Sequence, residues 1–177
     1  MIEKSLAKKS AFTLFAFFCN HSSEKLHSKQ AAEKTNMSYG AAFKALRTLE
    51  KERLLEKKEI GRTLAYSLKD NAETQTFKAF LNIAHVKKAL NELQKPPVEK
   101  IILYGSRATG ENTEKSDYDI IAITKDKKKT LEKTGKTQPL FSTSIFTPLE
   151  WERTKRTDPS FYRNAENGKI IWENEEE

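Results

Sequence analysis

An α+β chain of two domains is predicted: a mainly helical N-terminal domain ending in a β-hairpin, and a small C-terminal α/β domain whose mixed sheet is flanked by helices. Three observations predict it. Residues 1–70 run through helical apolar periods into two short strand patterns around a glycine. Residues 71–97 are polar and helix-prone until Lys95-Pro96-Pro97 breaks them, because proline removes a donor and clashes with a continuing helix. Residues 98–177 open on an apolar strand.

The 177 residues, 37% hydrophobic and 32% charged, allow one full domain or two small ones and argue against global disorder. The longest apolar stretch, Ala11–Cys19, falls well short of the ~20 residues of a membrane helix and lacks a secretory cleavage site. The single Cys19 excludes a disulfide framework, and with His21, His27 and His85 scattered, a structural zinc site is not expected. A soluble cytoplasmic protein with no membrane partner follows. The net charge of +7 is uneven. Residues 1–70 hold 14 basic and 8 acidic residues, and residues 71–177 hold 18 and 17. A basic excess confined to one part suits a polyanion-binding module, since each phosphate contact releases counterions.

In the first domain a helix is predicted over 5–19, and a second over Lys29–Thr35 with Ser28 as its cap. Asn36-Met37-Ser38 forms a turn, and a third helix spans about Tyr39–Glu52. Ala42, Leu46, Leu49 and Arg53 share one stripe, and the first three face the core. Ser38, Tyr39, Gly40, Phe43, Lys44 and Arg47 fall at its start and on its outer side, the mix of small, aromatic and basic groups that suits a helix laid in a major groove. Two strands around Gly61-Arg62-Thr63 then make a hairpin, offering Arg62, Lys57 and Lys58 to a phosphate backbone.

The run NMSYGAAFKALRTLEKERLLEKKEIGRTLAYSL resembles the winged helix-turn-helix family of prokaryotic transcription regulators. The resemblance covers about 65 residues. It implies binding of double-stranded DNA, often as a homodimer, through Ser38, Tyr39, Lys44, Arg47, Lys57, Lys58 and Arg62. Beyond it, Phe77, Phe80, Leu81, Ile83, Ala84, Ala89, Leu90 and Leu93 recur at helical spacing, as a linking helix or a dimer stripe.

The second domain begins with the strand Ile101–Tyr104. Gly105-Ser106-Arg107-Ala108-Thr109-Gly110 follows, then a second strand over Ser116–Ile123. Strand alternation points Asp117 and Asp119 the same way. Two adjacent carboxylates repel unless a cation lies between them, and oxygen-only ligation suits Mg²⁺, which takes further ligands from substrate phosphates. Glycine permits close backbone approach, and N–H groups at a helix start attract phosphate. Gly105 and Gly110 have P-loop spacing, but Glu111-Asn112 follows instead of Lys and Ser/Thr, so that reading is rejected. Lys125–Lys136 reads as a lysine-rich loop or frayed helix.

Gly105-Ser106, ten residues, then Asp117-x-Asp119, within ILYGSRATGENTEKSDYDIIAI, resembles the signature of the DNA polymerase β-like nucleotidyltransferase superfamily. It is most similar to the minimal nucleotidyltransferases, including the antitoxin partners of small helical toxins. The likeness covers about 98–173, including a tail read as a helix, a turn and a closing strand. It implies that Gly105 and Ser106 bind a nucleoside triphosphate, ATP first among them; Arg107 either touches a phosphate as well or covers the sheet. It also implies that Asp117 and Asp119 are catalytic and hold Mg²⁺. Catalysing members carry a third carboxylate on a neighbouring strand. Here that position falls at Ser142, or at Ser144, and serine replaces neither a base nor a charged ligand.

The expectation is therefore a winged-helix regulator whose nucleotidyltransferase-like domain binds nucleotide and Mg²⁺ with degenerate catalysis. The alternative is an active minimal nucleotidyltransferase that transfers a nucleoside monophosphate to a protein or small-molecule hydroxyl. Either could belong to a toxin–antitoxin pair with a toxin-like protein partner.

Overall fold

The computed structural model describes residues 2–61, 63–134 and 140–174. It divides into two compact units between Lys78 and Ala79. The first contains α1 (Ile2–Leu6), α2 (Lys9–Asn20), β1 (Lys25–His27), α3 (Ser28–Lys34), α4 (Tyr39–Lys51), β2 (Leu55–Ile60) and β3 (Thr63–Leu68), and α5 (Ala72–Ala89) begins within it. Its antiparallel sheet has the order β1-β3-β2.

The helix expected over 5–19 is interrupted: Lys8 is extended, and the long apolar helix starts at Lys9. Leu14, Phe15 and Phe18 of α2 are fully buried with Ala42, Leu46 and Leu49 of α4. Phe77 stacks on Phe15 at 4.6 Å between ring centroids. Ser28 is the first helical residue of α3 rather than its cap. The cap is His27, whose N–H donates to Gln30 Oε1 at 3.0 Å. Ser38, in the expected turn, caps α4 by accepting from the Ala41 N–H at 3.3 Å. Asn36 (φ 53°) and Arg53 (φ 62°) turn left-handed after α3 and α4, so Arg53 leaves the stripe that its spacing suggested. β1 was not foreseen; three residues are too few to show an alternation.

The second unit adds a 3₁₀ turn (Asn91–Leu93), β4 (Val98–Tyr104), α6 (Ser106–Thr109), β5 (Tyr118–Thr124), α7 (Lys127–Thr134), β6 (Phe141–Phe146), α8 (Pro148–Thr157), α9 (Pro159–Glu166) and β7 (Lys169–Glu173). The sheet order is β6-β5-β4-β7, with β5 and β6 parallel and the other pairs antiparallel. One face packs Leu103, Ile120 and Ile171 against Val86 and Leu90 of α5. The other packs Ile102, Ile121 and Ile123 against Trp151 of α8 and Ala165 of α9. Burying both faces explains why β4 and β5 read as continuous apolar runs. The lysine-rich segment forms a regular helix, α7, because Thr130 is buried and its hydroxyl bonds Thr124 Oγ1 at 2.9 Å. The tail contains two helices where one was expected. Asp158 ends α8, and its side chain caps α9 by accepting from Phe161 N–H at 3.0 Å.

Candidate functional site

The end of β4 and the start of β5 bring the glycine turn and an acid together. Tyr104 and Asp119 are paired across the two strands, and Gly105 follows at once. Gly105 adopts φ 70°, ψ −160°, a region that only glycine enters without strain. A Cβ there would lie 2.7 Å from Asp119 Oδ2, so the carboxylate seats directly against the glycine. Ser106 opens α6, and the N–H groups of Ala108 and Thr109 fold back onto the Gly105 carbonyl at 3.0 and 3.2 Å. At four residues α6 is too short to supply much helix dipole. Any anion here would rest on the turn itself and the Ser106 hydroxyl.

Asp117 lies one residue before β5, outside the strand, so alternation does not orient it as expected. Its charge nevertheless acts on Asp119. The Asp119 carboxyl titrates above the usual carboxylate range, first because it is partly buried and second because the Asp117 charge opposes its ionisation. The Tyr104 hydroxyl is raised too, by burial and then by Asp119. Two oxygen donors with mutual repulsion fit a hard divalent cation that keeps its remaining waters. Among the described residues no group of three or more His, Cys, Asp or Glu could hold a metal. The parallel register pairs Asp119 with Ser142 on β6, so a hydroxyl stands where a third carboxylate would face the pair. Ser144 lies two residues further along, opposite Ile121.

Arg107 is not placed as a phosphate ligand. It is 8% exposed and donates to the Ser116 carbonyl from Nε at 3.1 Å and from Nη2 at 2.7 Å. As the second residue of α6 it faces inward beneath the turn, the second of the two placements that its position in the sequence allows. Asn82, which sequence reasoning missed, is 4% exposed and donates to the Arg107 carbonyl at 2.9 Å. A polar residue at a core-facing position of an otherwise apolar helical stripe was the available signal.

In the first unit, Ser38, Tyr39, Lys44 and Arg47 all lie on the exposed side of α4. Tyr39 stacks on Phe43 at 6.0 Å, and the Arg47 guanidinium lies 6.0 Å from the same Phe43 ring. An open cavity of about 750 Å³ lies there, lined by Lys44, Arg47, Lys51 and Arg53 with Phe43, Thr48 and Glu50. Lys57 is ion-paired with Glu50 at 3.1 Å and Lys58 with Glu56 at 3.2 Å. Arg62 lies outside the described residues.

The glycine-serine turn after β4 thus abuts Asp119 near the start of β5, with Asp117 in the loop just before the strand. The family model for polymerase beta nucleotidyltransferases matches residues 85–177, over half of the chain, and the protein belongs to that family. Among solved structures, a candidate nucleotidyltransferase from Sulfolobus solfataricus is similar at 16% identity, over 61% of this chain and 93% of that one, with a TM-score of 0.42. No curated protein matches. No described helix is long and apolar enough to cross a membrane.

Proposed function

We propose that the protein is a winged-helix DNA-binding regulator whose nucleotidyltransferase domain binds a nucleoside triphosphate with Mg²⁺ and transfers its nucleotide feebly or not at all. The observation that carries the nucleotide half is the seating of the Asp119 carboxylate against Gly105, which joins the turn and the acid at one sheet end. Asp117 and Asp119 would hold the cation, which when bound would neutralise phosphate charge. The Ser106 hydroxyl and the turn would orient the phosphates. Ser142, opposite Asp119, cannot take a proton from an acceptor hydroxyl as a carboxylate can.

The DNA half is supported by the outer side of α4, where aromatic and cationic groups stand exposed, followed by the β2–β3 hairpin as the wing. Family membership and the intact Asp-x-Asp pair favour a second reading, an active minimal nucleotidyltransferase. In that reaction an acceptor hydroxyl oxygen bonds to the α-phosphorus, pyrophosphate leaves, and the hydroxyl proton passes to a carboxylate or water.

Incubation with labelled nucleoside triphosphates and Mg²⁺ separates the two, with the Asp117→Asn/Asp119→Asn double variant in parallel. Binding without product supports the regulator, and product that the double variant abolishes supports the enzyme. Absence of both binding and product refutes both.

A further inference from the structure

The loop that delivers Asp117 is held by a buried polar cluster with no other evident task. From Gly110 to Asp117 the chain has no regular secondary structure. Arg107 contributes a hydrogen bond from Nη2 to the Glu114 carbonyl at 3.4 Å and one from Nη1 to Asn82 Oδ1 at 3.3 Å, besides the two to Ser116. Asn82 Nδ2 also donates to Asn112 Oδ1 at 2.9 Å, and Tyr118 OH donates to Asn82 Oδ1 at 3.5 Å. The guanidinium lies 4.3 Å over the Tyr118 ring. Arg107 therefore touches the residue before Asp117 and the residue after it.

The oxygens these bonds reach are all neutral. Burying a guanidinium against neutral oxygens costs more than filling the same space with an apolar side chain. What the guanidinium adds is a rigid planar fork, two arms of which meet on one carbonyl; lysine cannot reproduce that. The fork grows from α6, the helix of the glycine-serine turn. The same side chain thus couples the turn to the loop that presents the acid.

The geometry points to Arg107 and Asn82 as positioning residues that lock the Glu114–Asp117 turn, so that the Asp117 carboxylate stands with Asp119 beside Gly105-Ser106 for a cation-bound triphosphate. This assignment rests on the nucleotide reading above and places Arg107 behind the site, away from the ligand.

The test measures ATP affinity of the full chain with and without Mg²⁺, for the wild type, Arg107→Lys, Asn82→Asp and Asp117→Asn. Asn82→Asp is isosteric and keeps the acceptor for Arg107 while removing both amide donors. Amide hydrogen exchange in β4 and β5 reports on the fold. Arg107→Lys is expected to lose about 10–100-fold of the Mg²⁺-dependent affinity, the usual effect of removing support behind a metal ligand. Asn82→Asp should lose less. Metal-free ATP binding and strand protection should stay at wild-type levels.

If Asp117→Asn removes the Mg²⁺-dependent gain but Arg107→Lys and Asn82→Asp keep it, the positioning role is overturned and the nucleotide reading stands. If the wild type shows no such gain, the nucleotide reading falls and the assignment with it. Loss of metal-free binding and strand protection together also overturns it, by making Arg107 a general support of the fold.

Discussion

The two units use a helical arginine in opposite ways. In the first, Arg47 stands exposed on α4 against the Phe43 ring, beside Lys44 and an open cavity. In the second, Arg107 is buried, and its fork is engaged by loop carbonyls and an amide. An exposed guanidinium keeps its interaction energy available for something outside the chain. A buried one has already used its donors to shape the chain itself. In a sequence both are basic residues in helices; what each helix packs against decides which kind of work the charge does.

The largest expected effect tests the interior side of this contrast. If the second unit's site lacks only a carboxylate opposite Asp119, Ser142→Asp should raise nucleotidyl transfer by ~10²–10⁴-fold, the range for gaining a general base. Pyrophosphate release with Mg²⁺ measures it, and no rise would mean that more than one group is missing. The exterior side predicts a salt effect. Lys44→Ala with Arg47→Ala should lower the slope of log affinity for duplex DNA against log salt by about 0.9 per lost phosphate contact. Arg107→Lys should leave that slope alone. An equal change in both variants would break the distinction between the two arginines.

The parts of the fold that were legible are those set by local chemistry. The turn Asn36-Met37-Ser38 before α4 reads from its residue types, and in the structure the Ser38 side chain accepts from a backbone donor three residues on. Ala42, Leu46 and Leu49 read as a core stripe because α4 is buried on one side only. The apolar runs of β4 and β5 and the residues Gly105-Ser106 and Asp-x-Asp were equally plain. What failed depended on partners distant in the chain. β1 exists by pairing Lys25–His27 with Ala65–Ser67. Arg107 turns inward because Ser116 and Asn82 await it. Asp117 reads as a strand residue because the alternation of β5 runs on through Ser116 in the sequence, two residues before the strand begins.

Glycine offers a smaller test in each unit. Gly61, in the β2–β3 turn, has φ +63° with nothing near a new Cβ, whereas Gly105 has φ +70° with Asp119 Oδ2 at 2.7 Å. Gly61→Ala should carry backbone strain alone, about 1 kcal/mol. Gly105→Ala should cost about 1–3 kcal/mol in urea unfolding from strain in its glycine-only region, and more as the carboxylate is displaced. Equal losses would show that the carboxylate moves aside freely and that its seat against the turn is not constrained.

The smallest effect concerns the pH dependence of that seat. Asp119 binds its proton more tightly in the folded chain than in the unfolded one, through burial first and the Asp117 charge second. Its contribution to stability is therefore fully present below the ordinary carboxylate pKa of about 3.9 and is lost as pH rises through the raised folded value. At neutral pH without ligand, Asp119→Asn removes a partly buried charge and a repulsion, so the variant should unfold at a slightly higher temperature than the wild type. The gap should close as the medium is acidified and both chains carry a neutral group at 119. Adding Mg²⁺ and ATP at neutral pH should stabilise the wild type alone. A variant less stable than the wild type at neutral pH would mean that the carboxylate serves the fold, and the case for a site that sacrifices stability to hold a cation would fail.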